Sequence, residues 1–423
     1  MKTFSIVTLG CKVNAYESEY YSEVLTQKGY QEVKHFEDSD LIIVNTCTVT
    51  NQASFKSRQK IHQAKKMNPS AKLVVVGCYV QSNHDELKEK YNIDLLIGSK
   101  NKDQFGNLID NMDQPSPFET NMPRNFESIP ITSFRNKTRA FVKVQDGCNQ
   151  FCSYCIIPYT RGRERSLPHE EVIKMIKHLE KEHLEIVLAG IHTGKYGSDI
   201  QSNLSDLIQH ILDETHIQRI RLSSIDINEV DDRLIQLIKN DHRMARHLHI
   251  SLQSGDDEVL KLMNRPYTSE VFRNRIEHIR KEIPDISIST DVIVGFSNET
   301  QDRFDQTVQF IKSIGFSFLH VFPFSVRKMT KAEHYPQVAS DQEKKQRVHI
   351  LTDLSKQLQK DRFNSLIGTK VSVLTESSDE KGIHGYSSAY DSVCIEDKAL
   401  GLHAIIECII THCDEEILFA KQT

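Results

Sequence analysis

Three short apolar runs rich in β-branched residues open the chain: Phe4–Leu9, Leu41–Asn45 and Leu73–Gly77. Between them, Tyr16–Lys28 and Ala53–Met67 carry apolar residues at helical spacing. Strands alternating with helices predict a parallel sheet covered on both faces, and a fourth run, Asp94–Gly98, completes it. This gives a first α/β domain over residues 1–112. Residues 113–133 read as a linker, because Pro115, Pro117, Pro123 and Pro130 crowd this region and break any regular period.

A longer βα series follows. Its predicted strands are Ala140–Gln145, Glu185–Ala189, Arg219–Ser223, His247–Leu252, Ser287–Val294 and Phe318–Phe322. Helical patterns over Pro168–Glu182, Asp231–Lys239, Ser269–Glu282 and Thr300–Ser313 separate them, and a charged amphipathic helix, Asp341–Leu366, closes the series. Six units of this kind predict a full or partial (β/α) barrel over residues 134–366. From residue 367 the pattern changes to alternation, as in KVSVL and HAIIECIITH, with Gly and Ser turns. That predicts a small antiparallel β-barrel over 367–423, comparable with nucleic-acid-binding OB-type modules.

Composition changes this picture little. With 38% hydrophobic and 26% charged residues, the chain reads as an ordinary globular protein. No run reaches the ~20 apolar residues of a membrane span, so no membrane partner is expected and the cytoplasm is the expected compartment. A net charge of −5 excludes an all-over basic coat but not local phosphate contacts. Residues 50–66 hold Lys56, Arg58, Lys60, Lys65 and Lys66 without an acid, and Arg135–Arg165 holds seven basic residues against Asp146 and Glu164. Each run reads either as a phosphate contact or as a solvated face.

Nine cysteines in such a chain point to ligation or catalysis rather than to a disulfide framework. Cys148, Cys152 and Cys155 form a CxxxCxxC directly after the first strand of the barrel series. Three thiolates from one loop can hold three irons of a 4Fe–4S cube and leave the fourth open to a reactant, whereas electron-transfer clusters usually have four cysteines. A zinc site is the competing reading, but no fourth cysteine or histidine lies close by in sequence; His169 is 14 residues on. Cys11, Cys47 and Cys78 each stand just past a predicted strand of the first sheet. Parallel strands put those ends on one edge, where α/β sheets keep their ligands, so the three read as converging on a second cluster site, against the alternative that each is a buried small apolar residue. Cys394, Cys408 and Cys413 are assigned to packing.

The CxxxCxxC with Tyr154 before its last cysteine resembles the signature of radical S-adenosylmethionine (SAM) enzymes. VTLGCKVNAYESE, together with Cys47 and Cys78, resembles the N-terminal domain of the methylthiotransferases. The similarity continues through AGIHTGKYG, RLSSIDINEV, HLHISLQSGDDEVLKLMNR and STDVIVGF, and the last module resembles a TRAM domain, a small RNA-binding barrel. The form LGCKVN is similar to the branch acting on N6-threonylcarbamoyladenosine of tRNA.

The resemblance implies two 4Fe–4S clusters, held by Cys148/Cys152/Cys155 and by Cys11/Cys47/Cys78, together with SAM, a tRNA substrate and a reducing electron donor. It implies that SAM is cleaved reductively to a radical that takes hydrogen from carbon 2 of the adenine, where sulfur from the second cluster is then attached. It also implies a SAM pocket involving Tyr154, Gly190, Thr193, Ser251, Gln253, Asp291 and Gly295. Isopentenyladenosine of tRNA and a ribosomal protein are the alternative substrates. A non-enzymatic metal-cluster RNA-binding protein is the alternative of another class.

Three features depart from the family pattern. Ser297 and Asn298 stand where Pro-Gly is common, and Met329 where glycine is usual. Residues 367–423 carry four lysines, no arginine and ten acids, a net of −6 that suits RNA poorly.

Overall fold

A computed structural model describes residues 1–114, 118–135, 137–397 and 400–423; Pro115 and Pro117 of the expected linker lie outside the described residues. The first five strands are all parallel, in the order Gln31–Glu32, Thr3–Thr8, Leu41–Thr46, Lys72–Gly77 and Leu95–Ile97. Leu41–Thr46 is buried at every position, as expected of a central strand covered on both faces. Helices Lys12–Gln27, Asn51–Met67 and Cys78–Lys90 start within a few residues of the strand ends. The two-residue edge strand Gln31–Glu32 was not expected, since it is too short and polar to show a period.

Six further parallel strands follow the predicted series. Arg139–Lys143, Glu185–Ala189 and Arg219–Leu222 form one sheet, and His247–His249, Ser287–Val294 and Phe318–Pro323 another. Bridges Ile220–Met244 and Ile225–Ile250 join the two. Among the described residues no pairing closes the first strand onto the last, so the barrel is partial. Helix Asp341–Leu366 lies beside the last strand, where the Ser355 hydroxyl accepts from the Leu319 amide at 3.0 Å. Its start is set by a capping box in which Ser340 and Glu343 exchange hydrogen bonds. The sequence pattern missed helix Leu204–Glu214, whose first turn Asn203 caps.

The last five strands close into a barrel, in the order Lys370–Ser378, Ile383–Ser387, Ser392–Ile395, Leu418–Gln422 and Ile405–Cys413. Arginines of the central strands clasp this barrel. Arg219 donates to the Ser372 carbonyl and hydroxyl at 3.1 and 2.8 Å, and Arg221 to the carbonyls of Ser388 and Ser387 at 3.0 and 3.3 Å. Glu185, fully buried, holds both guanidinium groups. Burial alone would raise its pKa, but Arg221, Arg219 and Arg139 hold it below the usual carboxylate range. Cys394 and Cys408 are fully buried in this module. No helix among the described residues is long and apolar enough to cross a membrane.

Candidate active site

Strand Arg139–Lys143 delivers the chain to the loop carrying Cys148, Cys152 and Cys155, and helix Ile157–Arg161 leads it away. Gly147 sets the entry with φ of +75°, and a Cβ there would collide with the Arg163 carbonyl. Basic side chains face the thiols. Arg265 Nη1 lies 3.3 Å from Cys152 Sγ and His192 Nδ1 3.3 Å from Cys148 Sγ. His192 is also gripped by Glu229 at 2.6 Å and Glu164 at 3.4 Å. Its pKa is pushed up to about 12: burial opposes this, but Cys148, Glu164 and Glu229 outweigh it.

A cavity of about 150 Å³ opens beside the trio, lined by the three cysteines, Tyr154, His192, Asp226, Ser251, Gln253 and Arg265. Tyr154 and Gln253 also line an adjoining cavity of about 230 Å³, with Asp291, Ile293, Phe322, Phe324 and, from the loop after strand Leu41–Thr46, Val49 and Thr50. Four of the seven expected pocket residues therefore gather here: Tyr154, Ser251, Gln253 and Asp291. The other three do not line these cavities. Gly190 packs against Gln145 and Thr193, and Thr193 is fully buried, bonded to the Ser223 hydroxyl at 2.7 Å. Gly295 lies against Lys344 of the long helix, with φ of +72°. Both glycines permit close packing of the protein on itself.

Cys11, Cys47 and Cys78 lie just past the C-terminal ends of three adjacent strands, Thr3–Thr8, Leu41–Thr46 and Lys72–Gly77. Gly10 and Gly77, with φ of +102° and +101°, each precede a cysteine. A Cβ on Gly10 would stand 2.8 Å from that of Cys47, and one on Gly77 2.7 Å from the Thr46 carbonyl oxygen. Only glycine lets these strand ends approach so closely. Asn14 ties them together by donating to the Leu9 and Thr46 carbonyls at 2.7 and 3.0 Å. Burial, with Cys78 and Cys11 nearby, pushes the Cys47 thiol up to about 12, and burial beside Cys152 and Cys148 does the same to Cys155.

Between the trios lies a buried charge network. Arg161, wholly inaccessible, donates to Cys78 Sγ at 3.1 Å, Glu17 at 3.0 Å, Asn14 Oδ1 at 2.6 Å and Asp146 at 3.2 Å. Lys102 and Lys143 bind Glu17 at 2.7 and 3.1 Å, and Arg165 approaches Asp146 at 3.6 Å. Burial alone would raise the Glu17 pKa, yet Arg161, Lys102 and Lys143 hold it well below the usual range. Arg161 and Arg165 are thus salt-bridged inside the protein, neither of the two roles left open for the Arg135–Arg165 run, while Arg163 is exposed, over the Phe151 ring at 4.7 Å. Arg161, Arg165, Lys143 and Lys102, the last with its charged form disfavoured by burial, face the carboxylates of Glu17 and Asp146. Buried cations in excess are costly without a further anion, and a metal-bound Cys78 thiolate would supply one. The donor chemistry of both trios thus fits thiolate-bound iron.

Sequence reasoning missed His192, Glu164, Glu229, Asp226 and Arg265. His192 stands in AGIHTGKYG, but nothing in the local pattern announces that its ring meets Cys148, 44 residues earlier.

The Radical SAM superfamily matches residues 142–311, and the family described as Uncharacterized protein family UPF0004 matches residues 3–98. The threonylcarbamoyladenosine tRNA methylthiotransferase MtaB of Bacillus subtilis (strain 168) is 37% identical over 93% of this chain and 90% of its own length. The chain belongs to the radical SAM methylthiotransferase family. Within it, the like-named MtaB protein of Aquifex aeolicus (strain VF5) is also 37% identical, over 87% of this chain and 91% of its own. The tRNA-2-methylthio-N(6)-dimethylallyladenosine synthase of Desulfitobacterium hafniense (strain Y51) is 31% identical over 98% and 97%. The similarity therefore places this methylthiotransferase in the MtaB branch. Among solved structures, the radical SAM methyltransferase TsrM from Kitasatospora setae has a TM-score of 0.58 at 14% identity, covering 76% of this chain and 75% of that one. That likeness concerns the fold. The family's cofactors are 4Fe–4S clusters and SAM, and the two thiol trios offer places for two clusters.

Proposed function

We propose that this enzyme attaches a methylthio group to carbon 2 of N6-threonylcarbamoyladenosine at position 37 of tRNA. The observation that carries the reading is the pair of thiol trios, one on the CxxxCxxC loop and one at three adjacent strand ends, with Arg161 of the helix after the first reaching Cys78 of the second. Cys148, Cys152 and Cys155 hold the cluster that binds SAM, and Cys11, Cys47 and Cys78 hold the one that presents sulfur. The bound clusters and SAM supply the electron, the radical and the sulfur. The chain supplies position and enclosure. Tyr154, Ser251 and Gln253 line the space beside the first trio, while Val49 and Thr50, in the loop just after Cys47, line the adjoining cavity. Phe322, Phe324 and Ile293 give that cavity an apolar wall, as suits a carbon radical that must not meet solvent.

RNA contact rests first on the helix Asn51–Met67, where Lys56 and Lys66 are exposed and neither pairs with an acid among the described residues. The acidic C-terminal barrel, in the reading of residues 367–423 as an RNA-binding domain, contributes shape more than charge. The MtaB-named relatives support threonylcarbamoyladenosine over dimethylallyladenosine. The reading includes a cytoplasmic location and an external electron donor. Mass spectrometry of tRNA nucleosides from a strain lacking the gene tests it. Loss of the methylthio mark on threonylcarbamoyladenosine alone is expected; an unchanged nucleoside profile overturns it.

A further inference from the structure

A third cavity, of about 440 Å³, occupies the lumen of the open barrel down to the C-terminal module. Barrel interiors are ordinarily packed with branched apolar side chains. This one has a mixed lining, in which His247, His249, Ser289 and His320 stand among Phe141, Val187, Leu222 and Phe318, with Lys12 from the first helix and Tyr390 from the C-terminal barrel. It adjoins the cluster cavities. His249 Nε2 meets Asp291, which lines the second cavity, at 3.1 Å, and the neighbours Ser223 and Ser224 line the third and first cavities respectively.

Most charges around this lumen are satisfied by the protein. Arg221 is held by Glu185, Arg139 by Glu376 at 2.9 Å, and Asp391 by Arg362 at 2.8 Å. Two polar groups are not. Lys12, exposed beside Cys11 at the start of its helix, has no acid or hydrogen-bond partner among the described residues. His247 is 6% exposed and its Nδ1 is buried without a partner, while its Nε2 shares the Ser289 hydroxyl with His249, at 2.9 and 2.8 Å. A buried polar atom left unpaired, as His247 Nδ1 is, is costly, and with the free Lys12 ammonium at the edge it favours a polar anionic group at this end of the lumen.

We propose that this lumen is the subsite for the N6 side chain of the substrate nucleoside, with Lys12 pairing its carboxylate and His247 Nδ1 donating to its polar oxygens. The proposal rests on the threonylcarbamoyladenosine reading above and supplies its physical reason: the threonylcarbamoyl group carries a carboxylate and a hydroxyl, whereas a dimethylallyl group has neither. SAM also carries a carboxylate, so the test must separate the two.

The experiment uses the full-length, anaerobically reconstituted enzyme without reductant, and anticodon stem-loop RNAs differing only at position 37. The three probes carry threonylcarbamoyladenosine, its neutral carboxamide analogue, or plain adenosine. Dissociation constants are read by fluorescence anisotropy. The wild-type enzyme is expected to prefer the acid over the carboxamide by about 10- to 100-fold, as for a charge-assisted contact. Lys12→Gln should abolish that preference, and Lys12→Arg should restore most of it, with plain-adenosine affinity and iron content unchanged in both. Equal wild-type affinity for acid and carboxamide overturns the proposal. So does a preference that survives Lys12→Gln, or a Lys12→Gln effect confined to SAM affinity, which would assign the lumen to SAM. Failure of the wider reading looks different: with reductant and SAM, the wild-type enzyme would leave the threonylcarbamoyl stem-loop unmodified yet modify a dimethylallyl one, and the subsite would fall with it.

Discussion

The two cysteine trios are built at opposite extremes of sequence locality. Cys148, Cys152 and Cys155 share one loop, and their relative positions need only Gly147, a short turn and the helix that follows. Cys11, Cys47 and Cys78 come from three separate strand ends, held together by sheet register, by Asn14, and by Arg161 reaching across from the partial barrel. The first trio is encoded by a motif; the second exists only once the first sheet has formed, and its Cys78 meets Arg161 only when the partial barrel packs against it. A local site tolerates distant damage, whereas an assembled one inherits the stability of every contact beneath it.

The sharpest way to break this comparison is to remove one thiol from each trio. In the proposed division of labour, Cys155→Ala lowers 5′-deoxyadenosine formation by more than about 10³-fold, equivalent to over about 4 kcal/mol of barrier. Cys47→Ala leaves that formation within a few-fold while methylthio product disappears. Chromatography of both products after anaerobic turnover reads the two together. Equal loss of 5′-deoxyadenosine in both variants would mean that the trios do not act separately.

This contrast also explains what was legible in the sequence. The CxxxCxxC could be read directly because its chemistry and its spacing coincide. The second trio was visible only as a repeated position, a cysteine just past an apolar run, and the parallel topology that unites those positions is a regular consequence of βα alternation. Long, uniform helices such as Asp341–Leu366 were equally plain, since Ser340 and Glu343 mark the start. The burial of Arg161 was invisible. Its carboxylate partner Glu17 lies 144 residues earlier, so a local window shows only an arginine run that looks solvated. The same holds for Arg265 beside Cys152, whose approach depends on how two barrel loops fold over one another.

Arg161 therefore offers the next test, aimed at the junction between the trios. Removing one member of a buried ion network leaves its partners desolvated and uncompensated, at a cost of roughly 3–5 kcal/mol. Arg161→Met should lower the unfolding temperature and, because its guanidinium touches Cys78, should empty the assembled site first. Iron per reconstituted chain should fall from about eight toward about four, the content of one 4Fe–4S cluster. Retention of both clusters in a destabilised protein would show that the network supports docking alone.

A milder probe uses acid at the junction with the C-terminal barrel. Glu185 is held below its ordinary pKa by Arg221, Arg219 and Arg139, against the opposing effect of burial. A depressed carboxylate contributes stability above its unfolded pKa, about 4.3, and loses it as pH falls through the lower folded value. Glu185→Gln should thus be less stable than wild type at neutral pH, with the gap narrowing once pH drops below the ordinary carboxylate value. Thermal unfolding of both proteins across this range reads it. A gap that widens in acid would reverse the sign and remove Glu185 as the clasp on Arg219 and Arg221.

The smallest effect concerns the loop after the last barrel strand, a second tie between the partial barrel and the assembled trio. Arg327 donates to Thr48 and Asn51, each at 2.6 Å, and the Ser325 hydroxyl accepts from the Asn51 amide at 2.9 Å. Two residues beyond Arg327, Met329 adopts φ of +72°, the left-handed region where the family pattern has glycine. Asn298, the other departure, has φ of +66°, but asparagine tolerates that region well. Methionine does not: the conformation costs it roughly 1–2 kcal/mol, while glycine brings an entropic cost of about 0.5–1 kcal/mol. Met329 is 53% exposed, so its side chain contributes little burial, and the amide bond to Glu333 at 2.8 Å survives substitution. Met329→Gly should therefore stabilise by about 0.5–1 kcal/mol, a rise of about 1–3 °C in unfolding temperature, without altering either cluster. A fall instead would mean that the strained methionine itself seats Arg327 against Thr48, making this loop part of the assembled site rather than a neutral strap across it.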